Sequence, residues 1–346
     1  MVVLLSIYKY LLKRILLYVI VFYIAISLIW ILVRFAPGDP ALTSYIRIIT
    51  PIGISISPEQ LEALKKKAIV ELGYDKPIQI QYIIYLYRVF TGDLGISIYF
   101  ASPVSDKLRE LIINDLILIG PAIISSWFLG NYIGAFAARN KNIDRILVPM
   151  IYILTATPYF LFGLVMVYFI GIEANQYFGN FFKPVLSQTD IRSFLTSPSY
   201  TTFIEFMRAY TLPFLSMVLV STGGWASGMR SLMIYELESN YARYMESIGF
   251  SDNKISSYAF RYAINPQITG LGIQLGTLIV AGLALSSVFN YPGTGIALIY
   301  AINFRDVFLI QGIAIYYTLM VIIFNFIIDI LYIIIDPRIR YGFIGG

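Results

Sequence analysis

Apolar residues run along this chain in long blocks, not in short alternations. A helix crossing the hydrocarbon core of a bilayer needs about 20 mostly apolar residues. Six stretches meet that length: 15–33, 116–138, 146–172, 210–229, 268–289 and 313–335. The first is apolar except for Ser27 and follows Lys9, Lys13 and Arg14. It outruns the apolar core of a signal peptide and ends in Arg34-Phe35-Ala36-Pro37, not in a small-residue cleavage site, so it reads as a retained span. The pattern predicts an all-α polytopic membrane protein with six transmembrane helices. Prolines interrupt three of them: Pro121, Pro149 with Pro158, and Pro213. Each removes a backbone donor and predicts a kink. Kinks are tolerated at membrane depth where neighbouring helices or a water-filled cavity satisfy the freed groups. Both a path with movable helices and ordinary membrane-helix composition account for them.

Composition agrees. Of 346 residues, 58% are hydrophobic and 13% charged, against about 45–50% and 25% in soluble domains. Mean hydropathy is +0.75. A disordered chain, a collagen-like fibre and a disulfide-rich scaffold are excluded. There is no Cys and no His, so thiolate chemistry, the commonest general base and the commonest transition-metal ligand are absent. The net charge of +5 is modest and has to be read by side of the membrane. Lys9, Lys13 and Arg14, then Arg139, Lys141 and Arg145, then Arg230, Arg243, Lys254 and Arg261, then Arg338 and Arg340 fall on one side of a six-span chain. The positive-inside rule makes that side cytoplasmic. The expectation is a multi-pass protein of the cell membrane with both termini in the cytoplasm.

Three regions follow: the N-terminus and first span (1–35), a small extracellular helical subdomain (36–115), and a five-helix membrane core (116–346) with a cytoplasmic loop at 231–265. In the second region Ser57, Pro58 and Gln60 form a capping box, and Gly73 closes the helix. Lys65, Lys66 and Lys67 read as its solvated face. The segment 78–90, with Tyr82, Tyr85 and Tyr87, predicts an interfacial helix ended by Gly92-Asp93. The outer segment 173–209 is aromatic and polar and predicts nothing sharper.

No Gly-x-x-x-x-Gly-Lys-Ser/Thr phosphate loop occurs. Asp329 is the only clearly intramembrane acid; it lies seven residues before Asp336, roughly 10 Å along a helix, so a helix-packing role is preferred to a proton relay. Between spans four and five, Asn240 can cap a short helix, 241–248, that stops at Gly249 and is followed by Phe250. Tyr241, Tyr244, Met245 and Ile248 share one face of it. Such a helix can lie across the membrane plane and present an apolar anchor to a groove on a partner, or rest on lipid.

The order of motifs resembles the membrane-spanning permease of an ABC importer, in the oligopeptide/dipeptide/nickel-type permease family. The first half carries Arg34-Phe35-Ala36-Pro37-Gly38-Asp39-Pro40, Leu72-Gly73-Tyr74-Asp75-Lys76-Pro77, Gln81-Tyr82 and Gly92-Asp93-Leu94-Gly95. The second carries Leu212-Pro213, Arg230-Ser231, Asn240-Tyr241-Ala242-Arg243 leading to Gly249, Leu271-Gly272-Ile273-Gln274-Leu275-Gly276, Val288-Phe289-Asn290-Tyr291-Pro292-Gly293-Thr294-Gly295, and Asp336-Pro337-Arg338-Ile339-Arg340-Tyr341. Together they cover about residues 10–342.

The resemblance implies a type I ABC importer permease fold. It makes Asn240, Tyr241, Ala242, Arg243, Tyr244, Met245, Glu246, Ile248, Gly249 and Phe250 the coupling helix of the family's EAA loop, docking on a separate ATPase subunit. Met245, Glu246 and Ser247 replace the small residues usual before the glycine, and Ile248 a usual Lys. The family's Leu-Pro-Ala-Thr before span two is replaced by Ile112–Asp115. Pro158, Gln274, Asn290, Pro292, Gly293 and Gly295 are candidates for the substrate path, with 292–295 read as a re-entrant turn. The implied partners are a homologous second permease, one or two ATPases, an extracellular binding protein and membrane lipid, with no nucleic acid. ATP and Mg are expected on the ATPases; no cofactor or metal is expected on this chain. The cargo would be peptides or oligosaccharides, with nickel slightly disfavoured by the lack of His. An ion-driven secondary transporter and a non-transporting scaffold are the alternative readings.

Overall fold

The structure is a computed structural model that describes residues 2–49, 57–179 and 181–335; the motif Asp336–Tyr341 lies outside them. In chain order, α1 is Val2–Arg34, α2 Pro40–Ile49, α3 Pro58–Leu72 and α4 Ile78–Thr91. A short antiparallel ladder follows, β1 (Ile96–Ser97) on β2 (Ser102–Pro103), with Ile96 opposite Pro103. Next come α5 (Val104–Arg139), α6 (Lys141–Ala156), α7 (Tyr159–Met166), a π-helical segment Val167–Ala174, α8 (Asn175–Phe178) and α9 (Gln188–Thr196). The remainder is α10 (Tyr200–Leu237), α11 (Asn240–Ser247), α12 (Asp252–Phe289), α13 (Thr294–Asn303) and α14 (Val307–Ile335).

Tyr8–Arg34, Val104–Arg139, Tyr159–Tyr177, Tyr200–Leu237 and Val307–Ile330 are each long and apolar enough to cross a membrane. Asp252–Gly272 and Gly276–Phe289 make a sixth span when taken as one helix bent by 54°. The apolar stretch 146–172 is not one helix, as its hydropathy suggests. It breaks at Thr157, which is extended (φ −80°, ψ 123°), just before Pro158. A proline disfavours helical backbone in the residue before it. The helices run on through Pro121, Pro149 and Pro213. Spans two and four start earlier than their apolar cores: α5 at Val104, and α10 at Tyr200, capped by Ser199. The boundary drawn at 115 therefore falls inside a helix.

The chain forms two compact units. One combines the chain up to Ile113 with Ile296–Phe326. Here α3 begins on the predicted capping box, with Ser57 and Gln60 exchanging bonds, and ends at Gly73 with φ +74°. Helix α4 ends at Gly92, φ +79°. The motif residues lock together at the end of α1. The Arg34 guanidinium lies 4.3 Å over the Tyr74 ring, its Nε donates to Gln81 Oε1 at 2.9 Å, and it stands 3.6 Å from Asp39. Gln81 in turn donates to the Lys76 carbonyl at 2.8 Å. Asp306 is fully buried and accepts from Ser97 Oγ at 2.6 Å and from the Leu309 amide at 3.1 Å, closing the first turn of α14. Val104, Leu108, Leu111, Ala297, Ala301, Leu309 and Ile313 form the core of this unit.

The other unit combines Asn114–Gly295 with residues 327–335, and α10 is its hub, packed on α6, α7, α9 and α12. Lipid tails are as apolar as leucine, so helices in a membrane associate through close backbone approach and polar contacts. Gly130 and Gly134, four apart on α5, provide that approach: a Cβ at Gly130 would stand 2.9 Å from the Thr222 carbonyl oxygen, and one at Gly134 2.9 Å from the Arg230 amide. Gly223 does the same towards α6, where a Cβ would meet the Thr155 amide at 2.7 Å. At the far end of α10, Arg230 donates from Nε and Nη2 to the two carboxylate oxygens of Asp144, both at 2.6 Å. That paired hydrogen bond holds the Asp144 carboxyl below its ordinary range, against the opposing effect of burial.

Candidate functional site

Helix α11 follows α10 after a two-residue break and packs on both α10 and α12. Its cap is Ser239, not Asn240: the Ser239 hydroxyl accepts from the Ala242 amide at 3.4 Å, and Asn240 is the first helical residue. The other end closes as the glycine predicts. Gly249 takes φ +86°, its amide donates to the Glu246 carbonyl at 2.9 Å, and the Phe250 amide donates to the Met245 carbonyl at 3.0 Å. This pair of bonds is a Schellman motif, which needs a left-handed residue at the turn. Lys254 stands 4.6 Å over the Phe250 ring.

The apolar stripe of α11 divides into two parts. Tyr241 turns inwards: its hydroxyl donates to Glu236 at 2.9 Å, its ring lies 5.5 Å from that of Tyr262, and burial with the Glu236 charge pushes the phenol up to about 12. Ala242 is buried and Met245 half-buried. Tyr244 is 65% exposed and Ile248 52% exposed, and Arg243 and Glu246 are exposed beside them. The helix is thus fixed on one side and offers an aromatic, an aliphatic and two charges on the other.

The candidate path residues fall into two groups within the same unit. Asn290, Pro292 and Gly293 lie in the turn between α12 and α13, where Asn290 is left-handed (φ +48°), and Gly295 is in the first turn of α13. Buried polar side chains at the 114–115 turn of α5 hold this segment. Asn114 Nδ2 donates to the Pro292 carbonyl at 2.6 Å and to Gln188 Oε1 at 2.7 Å. The Asp115 carboxylate accepts the Thr294 amide at 3.1 Å and the Thr294 hydroxyl, and Tyr291 donates its hydroxyl to the Asn114 carbonyl. A Cβ at Gly293 would strike Asp115 Oδ1, and one at Gly295 would lie 2.6 Å from Ser286 Oγ. The residues that replace the family's Leu-Pro-Ala-Thr thus grip this turn. Helix α13 is apolar and only ten residues long, too short to span.

The second group lies at the two breaks. Tyr159, next to Pro158, hydrogen-bonds Ser221 of α10 at 3.0 Å and interacts with the Gln274 side chain, which sits in the bend of α12. Three neutral polar side chains from α7, α10 and α12 meet where helices are interrupted. Sequence reasoning missed a related feature. Pro266, Thr269, Thr277 and Ser287 are exposed along α12, where α1 exposes Leu16, Ile20, Ile24 and Leu28. No charged residue occurs between Pro266 and Phe289. The spacing of those hydroxyls was readable in the sequence, but which side of α12 is left uncovered was not. Asp329 is buried on α14. Among the described residues, no group of three from His, Cys, Asp and Glu stands where it could hold a metal ion.

Residues 7–100 match the family described as binding-protein-dependent transport system membrane component, N-terminal, and residues 130–341 the binding-protein-dependent transport system inner membrane component. The chain is 29% identical over 333 residues to a putative peptide transport system permease of Brucella abortus, covering 95% of this chain and 98% of the relative. It is 29% identical to a probable D,D-dipeptide transport system permease of Escherichia coli, covering 92% of each. A glutathione transport system permease of Salmonella choleraesuis is 28% identical, over 96% of this chain and 99% of its own length. Spans, motifs and matches agree along nearly the whole length: the chain belongs to the binding-protein-dependent transport system inner membrane component family and is a multi-pass permease subunit of an ABC importer of the peptide/nickel type.

Proposed function

We propose that this permease carries peptides across the cell membrane, and that α11 with its Gly249 turn is the element through which a separate ATPase drives it. The observation that carries the coupling role is the exposed pair Tyr244 and Ile248 on a helix fixed from behind by Ser239, Tyr241 and the glycine turn. An exposed apolar anchor on a short, rigid helix fits a groove on a partner at little ordering cost. The basic segments near 9–14, 139–145 and 230–261 support a cytoplasmic position for α11 and both termini under the positive-inside rule. ATP and Mg then belong to the ATPase subunits, and this chain serves as a non-catalytic path. A homologous second permease and an extracellular binding protein complete the importer.

In this reading nucleotide binding shifts the population between two arrangements of the permease pair by favouring the contacts of α11 in one of them. The rigid links of α11 to α10 and α12 pass the motion to the breaks at Pro158 and at 272–276. The Tyr159–Ser221–Gln274 cluster borders the passage, together with the uncovered side of α12, where Thr269, Thr277 and Ser287 stand beside the exposed Val280. Thr, Ser, Tyr and Gln offer hydrogen bonds without fixed charge, which suits a peptide backbone with any side chains. The names of the relatives, transporters of peptides, D,D-dipeptides and glutathione, favour peptides over oligosaccharides. The test is purification from native membranes of the chain carrying Tyr244→Asp with Ile248→Asp. The proposal expects the second permease to be retained and the ATPase to be lost; retention of the ATPase would refute it.

A further inference from the structure

The end of α5 carries a groove that the transport cycle described above does not use. It has a volume of about 360 Å³ and runs between α5, α10 and α12. Its wall is apolar and aromatic: Tyr132 stacks on Phe260 with ring centroids 6.1 Å apart and planes 25° apart, and Phe136 and Met233 continue the surface. Tyr132 and Phe136 are exposed. Its rim is basic. Arg139 and Arg261 line it together with Asn253, Ser256 and Ser257, and no carboxylate does. Arg139 donates to Asn253 Oδ1 at 2.5 Å, and Arg261 stands 5.8 Å from the Tyr258 ring. Neither guanidinium forms an ion pair among the described residues, whereas Arg230 nearby is matched by both oxygens of Asp144.

We propose that this groove binds one anionic phospholipid, with its phosphodiester between Arg139 and Arg261 and an acyl chain along Tyr132, Phe136 and Phe260. The geometry has the right grading. Tyr132 lies seven residues before Arg139 on one helix, about 10 Å deeper into the hydrocarbon. A guanidinium can give a phosphate two parallel hydrogen bonds, which adds directionality that the point charge of a lysine lacks. Basic pockets between membrane helices at the water boundary are suited to lipid headgroups. The two arginines also occupy the site where the positive-inside rule would put any basic residue. What that rule does not require is that both line one aromatic groove; Glu246 and Asp252 line the adjoining cavity that Arg139 also borders, yet neither forms an ion pair with it among the described residues.

The test is native mass spectrometry of the full-length chain in detergent, titrated with phosphatidylglycerol or with phosphatidylcholine of the same acyl chains. Two basic contacts should make the anionic lipid bind about 30-fold tighter. Arg261→Gln should remove about a fivefold share of that preference, since among the described residues Arg261 makes no hydrogen bond that holds the fold. The pair Arg139→Gln with Arg261→Gln should abolish it, and Lys65→Gln with Lys66→Gln, on α3 of the other unit, should leave it intact. Equal binding of the two lipids by the wild type, or an undiminished preference in the double variant, would overturn the site. So would full displacement by inorganic phosphate, which would make it a plain anion site. In the assembled importer a Tyr132→Cys chain, otherwise free of cysteine, should be modified by a lipid-soluble thiol reagent. Its cross-linking to the second permease would replace lipid with protein as the occupant and refute the proposal.

Discussion

Replacing Gly249 separates a backbone effect from a packing effect. Gly249 sits at φ +86°, and nothing lies within 4 Å of where a Cβ would stand. A side chain there meets no obstacle; the whole cost is the left-handed conformation. That cost is about 1–2 kcal/mol for an ordinary L-residue and rises to about 3 kcal/mol for a strained β-branched one. Asn visits this region more readily. The order of damage should be Asn, then Ala, then Val. If the turn must keep its shape for α11 to engage its partner, Gly249→Ala weakens engagement about 5- to 30-fold and Gly249→Val up to about 150-fold. Because the turn lies outside the apolar spans, expression and insertion should not change. The assay is uptake and binding-protein-stimulated ATP hydrolysis by the importer reconstituted in liposomes, with membrane content measured in parallel. Normal transport by Gly249→Val would show that the turn has no part in coupling. Equal loss with Asn, Ala and Val would show that bulk, not backbone conformation, is at issue.

Three further outcomes follow from the packing. Asp144→Asn should lower thermal stability at pH 7 by about 1.5–3 kcal/mol. The Asp144 carboxyl is held down in the folded chain, so its contribution is present above the unfolded value of about 3.9 and is lost as pH falls through the lower folded value. The difference between wild type and variant in a detergent melting series should therefore shrink only in strong acid, and a constant gap would count against the Arg230 pairing. Gly134→Val should destabilise by about 1–3 kcal/mol through overpacking against α10, while Gly120→Ala, where nothing lies within 4 Å, should be nearly silent in the same melting assay. Asp115→Ala removes both bonds to Thr294 and should cost about 1–3 kcal/mol; uptake should slow as the turn at 292–295 loosens, and an unchanged rate would detach that turn from the path.

The sequence foretold the parts that depend on local chemistry. The capping box at Ser57 and Gln60, the stops at Gly73 and Gly92, and the glycine end of α11 all rest on a few neighbouring backbone groups, and they appear as written. The cap of α11 did not, because Ser239 and Asn240 are adjacent and equally good caps, and only the path of the chain out of α10 chooses between them. Averaged hydropathy ran the third span unbroken through 146–172, although Pro158, read from the sequence as a kink, is where the helix breaks outright. Nor could it see the bend at 272–276, where Gly272 and Gly276 flank Gln274 with no proline present. Helix α9 was missed although Ser187 and Asp190 form a capping box; its short polar sequence lacks the apolar period that directed attention elsewhere. The grip of Asn114 and Asp115 on the turn at 292–295 joins residues about 180 apart in the chain (Asp115 to Thr294 spans 179), and no local pattern announces it.

The most direct test of the coupling role is a cross-link from a single cysteine. The chain has none of its own, so Ile248→Cys creates a unique thiol at the exposed edge of α11. In the importer purified with its partners, a short bifunctional thiol reagent should join this position to the ATPase subunit, and the yield should change when ATP is added. An Ile20→Cys chain, on the exposed face of α1, should give no ATPase adduct. Absence of any adduct from Ile248→Cys in an assembled, ATP-hydrolysing importer would contradict the assignment of α11 as the element that meets the ATPase.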